Sequence, residues 1–387
     1  MNSILFVGMY PNEVCQCRNV FFQNLIFAVA DTGVKCTVIS PVSVSKYLLK
    51  TRIIPQHEIH KTPSGAEVDV YYPRYLSASS RQIGKFNTEH ISERFFSDAA
   101  SKAARKLAGE GKTYDCVYGH FFLYGGLAAM RIGRELGLPS FMAFGECDFE
   151  SQVGMTYGLP KPAELEGLRG IVSVSSDNTN ELHRLGIVEQ IPILTAPNAT
   201  DLSLFRPMDK MQCREKLSIP KDKFVVGFVG GFIERKGDKR LLEAIERIDG
   251  VYGAFAGVGD PAPSGEKVVF CRELDHADVS SFLNAVDVFC LPTLSEGSCN
   301  AIVEAMACGC PIISSDLPFN DDALNADNSI RLDPNSVDEI ESAIRSVYED
   351  RNLCSRLAEK SLETAKNFGI HERALRILTF MDKNCQE

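Results

Sequence analysis

The sequence predicts an α/β protein made of two Rossmann-like domains, each with a parallel sheet packed between helices. Short apolar runs alternate with helical stretches along the whole chain, which is the βα pattern of a parallel sheet. About five strand-like runs fall in each half of the chain. A length of 387 residues is also too great for one ordinary hydrophobic core and suits two domains of nearly equal size.

The apolar runs fix the predicted order of elements. The segment 192–207 contains three prolines and no helical or strand pattern, so it is the predicted linker. We therefore assign residues 1–197 to the first domain and residues 198–369 to the second. The predicted strands are 4–7, 36–39, 116–117, 140–144 and 170–174 in the first half, and 225–229, 251–256, 267–270, 286–291 and 311–314 in the second.

Composition narrows the class of protein. Hydrophobic residues make up 44% of the chain and charged residues 24%, as in soluble globular proteins. The net charge of −10 argues against a nucleic-acid binder, which normally carries a basic excess. Residues 1–199 are neutral overall and residues 200–387 carry the whole negative charge. The first half is therefore the one that can more easily approach an anionic membrane surface.

The sequence favours a cytoplasmic location. No apolar run reaches the roughly 18–20 residues that span a bilayer. The first predicted strand starts at residue 4, which leaves no room for a signal peptide. The 13 cysteines show no zinc-binding spacing with histidines. Buried free thiols in a reducing compartment explain them better than disulfides or metal ligation.

The most informative segment is 294–311. The apolar run 286–291 before it predicts a buried strand, and apolar residues at helical spacing within it predict a helix after a short turn. Gly309 supplies the stop at the helix C-terminus and Pro311 prevents continuation, so the next strand is expected near Ile312. The turn then lies at the carboxyl end of a parallel strand, where open α/β sheets bind ligands.

Two glutamates eight residues apart give this segment its chemical interpretation. Backbone N–H groups that open a helix suit a phosphate. A helical side chain leans toward the N-terminus, so Glu304 can reach a hydroxyl beside that phosphate, such as a ribose hydroxyl. Glu296, in the turn, is free to face the other side of the pocket, as expected in a nucleotide-sugar site; the other interpretation is two solvated glutamates. The predicted phosphate-binding residues are Gly297, Ser298, Cys299, Asn300 and Ala301.

This segment resembles the Glu-x7-Glu signature of the retaining glycosyltransferases of family 4, which have the GT-B fold. The resemblance implies two Rossmann-like domains that face a cleft, with the C-terminal helix, residues 370–387, crossing back to the first domain. It also implies that Glu304 grips the donor ribose and that Glu296 contacts the transferred sugar. The chain departs from the family pattern at 298–300, where Ser-Cys-Asn replaces an aromatic or aliphatic residue followed by glycine.

The loop 230–237 resembles the family's Gly-Arg-x4-Lys-Gly loop, whose Arg and Lys hold the donor diphosphate. Lys236 falls on the family Lys, whereas Gly231 stands in place of the family Arg. Arg235 can substitute, since guanidinium grips phosphate in a bidentate manner. Cations there would stabilise the charge that develops on the leaving diphosphate. The alternative is that both side chains are ordinary surface cations.

Further matches are weaker. His120 lies in a segment similar to the family's His-x-His-Phe, which implies a catalytic position near the sugar or acceptor; a packed histidine is the other interpretation. Arg272 stands where the family has glycine beside the nucleotide base. Glu146 and Asp148 resemble an acidic turn of the family and not the metal-binding Asp-x-Asp of the other major glycosyltransferase fold. Arg18 is a candidate contact for an anionic acceptor or an ordinary surface residue.

The segment 81–112 is rich in Lys and Arg, with apolar residues interleaved. In the family such a helix can dock on the membrane that holds lipid-linked acceptors. A solvated helix face is the competing interpretation.

The resemblance implies a retaining transferase that moves a sugar from a nucleotide diphosphate donor, with UDP-sugars favoured. The acceptor would be a glycan or a lipid-linked glycan in polysaccharide or cell-envelope synthesis, and neither a metal nor another cofactor is expected. Two alternatives stay open: a catalytically silent partner subunit, and an epimerase or phosphorylase on the same fold. An NAD-dependent enzyme is disfavoured because the first βα turn has no GxGxxG fingerprint.

Overall fold

The computed structural model describes residues 1–14, 19–45, 54–78, 81–83, 86–147, 149, 165–186 and 190–385. The chain divides into two compact units. Unit 1 comprises Met1–Pro197 together with His371–Glu387, and unit 2 comprises Asn198–Ile370. Each unit contains a Rossmann-like parallel sheet with helices, which confirms the predicted fold class.

Unit 1 is built around an eight-stranded sheet. Its strands are β1 (Ser3–Val7), β2 (Lys35–Ile39), β3 (Val42–Ser43), β4 (His57–Lys61), β5 (Glu67–Tyr71), β6 (Arg74–Tyr75), β7 (Gln82–Ile83), β8 (Phe86–Asn87), β9 (Cys116–Gly119), β10 (Ser140–Phe144), β11 (Leu168–Ser173) and β12 (Ile193–Thr195). The order across the main sheet is β12-β11-β10-β9-β1-β2-β5-β4, parallel except where β4 pairs with β5. The short pairs β3–β6 and β7–β8 lie apart from it.

The helices of unit 1 include one from the end of the chain. They are α1 (Val20–Ala30), α2 (Glu89–Gly109), α3 (Leu127–Leu136), α4 (Ser176–Arg184) and, numbered in chain order, α11 (Ile370–Cys385). The Phe380 ring of α11 lies over Gly170, where a Cβ would stand 2.7 Å from the ring carbons. The Arg373 Nε donates to the Ala196 carbonyl oxygen at 3.1 Å. These contacts make α11 part of the first unit's packing.

Unit 2 holds a six-stranded sheet in which all neighbouring strands are parallel. Its strands are β13 (Phe224–Val229), β14 (Val251–Ala256), β15 (Val268–Arg272), β16 (Val288–Leu291), β17 (Ile312–Ser315) and β18 (Ser329–Leu332). Its helices are α5 (Lys210–Leu217), α6 (Asp238–Glu246), α7 (His276–Ala285), α8 (Asn300–Ala307), α9 (Val337–Glu349) and α10 (Arg351–Ala365). The strand order β15-β14-β13-β16-β17-β18 reverses between β13 and β16.

The sequence predicted ten strands within about two residues, namely β1, β2, β9–β11 and β13–β17, because these strands are apolar on both faces. Their side chains are almost all fully buried, as in β16, where all four residues are buried. The interior strand β5 was not predicted, since exposed and half-buried residues alternate with its two buried valines. Gly309 has φ of 76°, the left-handed conformation expected after a helix C-terminus, and β17 begins at Ile312 as predicted.

The prediction of a linker over residues 192–207 was wrong for part of that segment. Residues Ile193–Thr195 form β12 and pair with β11, which extends the sheet of unit 1 by one strand. Phe205 is buried in the core of unit 2 at 1% exposure. The apolar residues between the three prolines are too few to show a strand or helix period. The sequence therefore predicted neither β12 nor the burial of Phe205.

Candidate functional site

The candidate site of unit 2 lies where the strand order reverses, at the carboxyl ends of β13 and β16. Loops from two neighbouring parallel strands diverge at such a point and leave a crevice between them. The loop after β13 carries Arg235 and Lys236 in a single 3-10 turn, Glu234–Lys236. The loop after β16 carries Glu296, so residues sixty positions apart in the chain share one edge of the sheet.

Close backbone approach brings these two loops together. The Leu294 N–H donates to the Arg235 carbonyl oxygen at 2.8 Å. Gly237 follows the turn with φ of 80°, and a Cβ there would stand 2.5 Å from the Pro292 carbonyl oxygen. Only glycine fits both the conformation and the space. Gly237 therefore allows Lys236 to sit directly beside the end of β16.

The Glu296 carboxylate forms ion pairs with two cations, Arg235 and Lys236. Its Oε1 lies 3.1 Å from Arg235 Nη1 and forms a shorter ion pair with Lys236 Nζ. The Thr293 hydroxyl donates to the same oxygen at 2.9 Å, and Arg235 also donates to the Ser295 carbonyl oxygen. The Glu296 side chain is only 10% exposed and that of Lys236 16%. This network is largely shielded from solvent, so its charges interact more strongly than a surface pair would.

The charge state of Lys236 follows from its surroundings. Burial lowers the pKa of the ammonium, but the Cys299 sulfur and the Glu296 carboxylate more than offset that effect and hold the pKa above its ordinary value. Lys236 is therefore a cation in the ligand-free protein. Burial raises the pKa of the Cys299 thiol to about 12, with the Glu296 carboxylate acting in the same direction, so this side chain is an uncharged thiol at neutral pH.

The N-terminus of α8 adjoins this network. Cys299 is 7% exposed and immediately precedes the first helical residue, Asn300. The Asn300 Oδ1 is buried without a hydrogen-bond partner among the residues that the structure describes. Gly297 is buried, and Ala301 packs against the core of unit 2. The positive end of the α8 dipole follows Glu296 by four residues in the chain, and an anion site at this helix start stays a prediction.

Ser298 has a partner that the sequence did not predict. The Asn198 N–H donates to the Ser298 Oγ at 3.0 Å, and the Asn198 side-chain amide donates to the Ser298 carbonyl oxygen at 3.1 Å. Asn198 opens unit 2, so the first residue of the unit fixes the turn before α8. A Pro-Asn pair at the predicted domain junction was the available signal, but the pair does not disclose which turn it binds.

Glu304 lies one turn inside α8 and meets a residue that sequence reasoning missed. The His276 Nε2 is 3.1 Å from Glu304 Oε1, and the Glu304 side chain is 10% exposed. Burial lowers the pKa of His276, but the Glu304 carboxylate and Asp201 reverse that effect and hold it above its ordinary value. His276 is the first residue of α7, and an isolated histidine at a helix start gives no sequence signal of such a pairing.

Gly231 occupies open space. A Cβ built on this residue would have the Val258 carbonyl oxygen at 3.8 Å as its only neighbour within 4 Å, and its φ lies outside the left-handed region. A larger side chain would fit here without strain. Arg272 ends β15, and its guanidinium lies 4.8 Å over the Phe270 ring. The structure thus shows room, but no cation, at the position of the family Arg.

The turn Gly257-Val258-Gly259, which directly follows β14, has a packing role. A Cβ on Gly257 would lie 1.8 Å from the Gly230 carbonyl oxygen, and one on Gly259 would lie 2.4 Å from the Phe232 carbonyl oxygen. The Phe232 N–H donates to the Val258 carbonyl oxygen at 2.8 Å. Backbone therefore packs on backbone between the loops that follow β13 and β14.

His120, predicted as catalytic, lies in unit 1 at the end of β9. It is 5% exposed and stacked on the Phe22 ring at 4.3 Å, with Phe21 and Phe121 beside it. Neither ring nitrogen has a hydrogen-bond partner in the described part of the chain. Burial, with a smaller effect from Arg373, lowers the pKa of His120 to about 3, so the imidazole is uncharged at neutral pH.

Glu146 holds the turn that follows His120. Its carboxylate accepts hydrogen bonds from the Phe122 N–H at 2.5 Å and the Gly145 N–H at 3.1 Å. Phe121 has φ of 66°, which turns successive N–H groups toward one side. Burial raises the pKa of Glu146 to about 7 although these N–H donors oppose the shift. Asp148 and Arg18, also singled out in the sequence, lie outside the described residues.

The basic segment 81–112 coincides mainly with α2. Phe96 and Leu107 face the core at 0% and 3% exposure, whereas Phe95 is 41% and Ile91 37% exposed. Within the described residues, no helix is both long and apolar enough to cross a membrane. The same part of the chain has no cluster of three or more His, Cys, Asp or Glu side chains that could hold a metal ion.

Known proteins match both the sequence and the fold. Residues 223–350 match the family model of the glycosyl transferases group 1. A Bacillus subtilis protein named as a teichuronic acid biosynthesis glycosyltransferase, TuaC, is 22% identical over 382 residues, which cover 95% of this chain and 94% of that protein. This chain is a homologue of glycosyltransferases.

Solved structures of other proteins superpose on this chain over nearly its whole length. Sucrose-phosphate synthase from Thermosynechococcus elongatus superposes with a TM-score of 0.77 at 18% identity, over 99% of each chain. HepE of Anabaena, in complex with UDP and glucose, superposes with a TM-score of 0.69 at 15% identity, over 99% of this chain and 100% of that one. The chain has the GT-B fold. The match to group 1 falls within unit 2 of this GT-B protein and includes Arg235, Lys236, Glu296 and Glu304.

Proposed function

We propose that this GT-B protein is a retaining glycosyltransferase of family 4 that uses a nucleotide diphosphate sugar. The observation that carries the proposal is the convergence of Arg235 and Lys236 on Glu296 beside the N-terminus of α8. Two cations and a helix N-terminus favour a diphosphate, and the carboxylate next to them favours the hydroxyl groups of a sugar.

Arg235 and Lys236 are proposed to hold the diphosphate together with the backbone of the α8 turn. Arg235 takes the part of the family Arg, because Gly231 offers space but no charge. A guanidinium and an ammonium together can neutralise most of a diphosphate's charge. The turn residues assigned to the phosphate remain those of the sequence prediction: Gly297, Ser298, Cys299, Asn300 and Ala301.

Glu296 is proposed to orient the transferred sugar. Its Oε1 already accepts from Thr293 and pairs with both cations, which keeps the carboxylate fixed. Hydroxyl groups of a bound sugar can donate to the carboxylate, while the diphosphate takes over the two cations. Lys236 and Arg235 would then form ion pairs with Glu296 in the free protein and with the leaving diphosphate in the complex.

The reaction proposed is a same-face displacement. The bond between the anomeric carbon and the diphosphate oxygen breaks, and the acceptor oxygen bonds to the same face of the sugar. The acceptor proton passes to the leaving phosphate oxygen. Arg235, Lys236 and the start of α8 stabilise the negative charge as it develops on the diphosphate. No step is assigned to a metal ion or another cofactor.

The donor proposed is a UDP-sugar, and the acceptor a glycan or lipid-linked glycan of the cell envelope. The UDP seen in the HepE complex supports the donor. The name of TuaC supports an envelope polysaccharide. His120 is proposed to contact the sugar or acceptor as a neutral imidazole, since both of its nitrogens lack a partner among the described residues.

The proposal extends to peripheral membrane contact through α2 at a cytoplasmic face. Ile91 and Phe95 are exposed on this helix, and Arg94, Lys102 and Arg105 are exposed near them. An apolar pair flanked by cations suits an anionic lipid surface. Sedimentation with anionic and neutral vesicles tests this point; equal binding to both, or none to either, would contradict it.

The deciding experiment is thermal stabilisation by UDP, GDP, ADP, CMP and NAD. A ligand at a hundred times its dissociation constant stabilises by about 2.7 kcal/mol, which gives a clear shift in Tm. We expect a shift with UDP that is clearly reduced in Lys236→Ala and kept in Lys239→Ala. Lys239 is the matched control, an exposed lysine three residues away. No shift with any nucleoside diphosphate would contradict the proposed site.

A catalytically silent subunit is the second candidate, and the open space at Gly231 favours it. Such a protein would bind UDP in the same assay yet leave UDP-sugars intact. Incubation with a panel of UDP-sugars, followed by measurement of released UDP with and without envelope glycans, distinguishes the two. The anomeric configuration of any product tests retention directly.

A further inference from the structure

We infer that His276 is a positioning residue, whose imidazole holds the Glu304 carboxylate in the orientation that reads the donor ribose. The inference rests on the proposed function, because it takes Glu304 as the ribose contact. It adds a residue from another helix, α7, to a site otherwise composed of the loops after β13 and β16 and of α8.

The geometry of the pair supports this role. The His276 Nε2 lies 3.1 Å from Glu304 Oε1, and no second hydrogen bond to this carboxylate occurs among the described residues. One carboxylate oxygen is thereby fixed, and the other is left for neighbouring hydroxyl groups. A carboxylate has about four acceptor positions, so it can accept from an imidazole and from a ribose at once.

The imidazole is itself held in place. The Phe205 ring meets it edge-on, with ring centroids 5.3 Å apart and an interplanar angle of 65°. Phe205 is 1% exposed and belongs to the core of unit 2. Phe205, which is fixed in the core, thus holds the His276 ring, and His276 in turn holds Glu304. A free glutamate on a helix has several rotamers, and fixing one of them in advance lowers the entropy lost on binding.

Electrostatics favour the same arrangement. The groups whose charge reaches His276 are Glu304 from α8 and Asp201 from the segment that precedes α5. Asp275 and Asp278 lie on its own element, at the N-cap and in the first turn of α7. Glu304 and Asp201 raise the pKa of His276 and so favour a protonated imidazole that donates to Glu304, whereas Asp278 is paired with Lys216. A charge-assisted hydrogen bond is about twice as strong as a neutral one.

A selectivity measurement tests the inference. Dissociation constants for UDP, 2′-deoxy-UDP and 3′-deoxy-UDP are measured by calorimetry on wild type, His276→Phe, His276→Gln and Glu304→Gln. We expect wild type to prefer UDP over at least one deoxy analogue and Glu304→Gln to lose most of that preference. His276→Phe should reduce the preference roughly five- to tenfold, the value of one ordinary hydrogen bond, with little change in the affinity for the analogue itself. His276→Gln, which keeps a donor, should retain it.

Two different outcomes separate failure of the inference from failure of the proposed function. If Glu304→Gln abolishes the ribose preference and His276→Phe leaves it intact, or weakens UDP and both analogues equally, the inference is overturned and the proposed site stands. If wild type does not bind UDP, or Glu304→Gln does not alter the preference, the proposed function fails and the inference with it.

Discussion

The polar residues at the carboxyl ends of the two sheets differ in their charge state. At the edge of the sheet in unit 2, Arg235, Lys236 and Glu296 are charged and paired. At the edge of the sheet in unit 1, His120 lies among aromatic rings and Glu146 is held by backbone N–H groups, and burial shifts the pKa of each toward its neutral form. The residues of unit 2 are therefore held as charged groups, whereas burial favours the uncharged forms of His120 and Glu146 in unit 1.

The difference has a physical origin in the loops. Gly237 lets two loops of unit 2 approach closely enough for opposite charges to meet across them. In unit 1, Phe21, Phe22 and Phe121 surround His120. A charged imidazole there would lose its hydration without gaining a partner. The same Rossmann-like architecture thus supports an ionic site in one unit and an apolar one in the other.

Glu296→Gln should produce the largest effect. Loss of the carboxylate removes the group that orients the sugar, and we expect transfer to fall by about 10²–10³-fold, the range for one preorganised polar group. UDP affinity should stay equal or increase, because Lys236 and Arg235 lose their competing partner. Rates and UDP dissociation constants measured on the same preparation check both parts. Full activity, or a large loss of UDP affinity, would disprove the assigned role.

Lys236→Ala should weaken UDP binding by about 1–3 kcal/mol, the scale of a charge-assisted contact. The loss should shrink at high salt, since the interaction is between charges. Titration calorimetry at two ionic strengths measures it, with Lys239→Ala as the control for the loss of one positive charge. Equal effects of the two substitutions would mean that UDP responds to net charge and not to this site.

Glu146→Gln tests the neutral edge of unit 1. The folded pKa of Glu146 is about 7, against an ordinary value of 4.5. The free energy of unfolding therefore falls as pH rises from 4.5 to 7 and stays at the lower value above pH 7. The substitution should raise the free energy of unfolding by about 1–2 kcal/mol at pH 8 and by little at pH 4.5. Denaturant unfolding at both pH values checks this; a Gln variant that is less stable at pH 8 would show that the ionised carboxylate is needed.

The smallest expected effect concerns His276. Its pKa is raised in the folded protein, so its contribution to stability is present at low pH and is lost as pH rises through that pKa. The stability difference between wild type and His276→Gln should decrease by roughly 0.5–1 kcal/mol between pH 6 and pH 9, the upper part of the range measured for exposed ion pairs. Unfolding curves across this range give the difference. A difference that grows with pH would exclude a stabilising pair with Glu304.

The sequence predicted the elements around Glu296 and Glu304 in unit 2 better than the environment of the candidate residues in unit 1. Glu296 and Glu304 lie in a short segment whose turn and helix ends are encoded locally, so their placement could be inferred from spacing. Lys236 was inferred from the resemblance of its loop to that of the family. The His276 contact could not be inferred, because it depends on how α7 packs against α8 in three dimensions. The edge strands β4 and β18 also escaped prediction, since β4 alternates exposed and half-buried residues and β18 has only two buried positions.

The environment of His120 shows a different limit. Its position at the end of β9 followed from the sequence, but its stacking on Phe22 brings together residues almost a hundred positions apart. Charge state depends on that packing, and no local pattern reports it. The assigned roles of His120, Arg235 and the α8 turn therefore stay predictions.

The placement of Phe380 against Gly170 has a consequence for synthesis on the ribosome. Unit 2 is continuous in the chain, so it can complete its core as soon as residue 370 has emerged. Unit 1 begins first but needs α11, which is translated after unit 2, to cover Gly170 and Phe141. Domains usually mature in the order in which they are made. Here the first domain to start is the last to finish, and a nascent chain stopped before α11 would leave that apolar face uncovered.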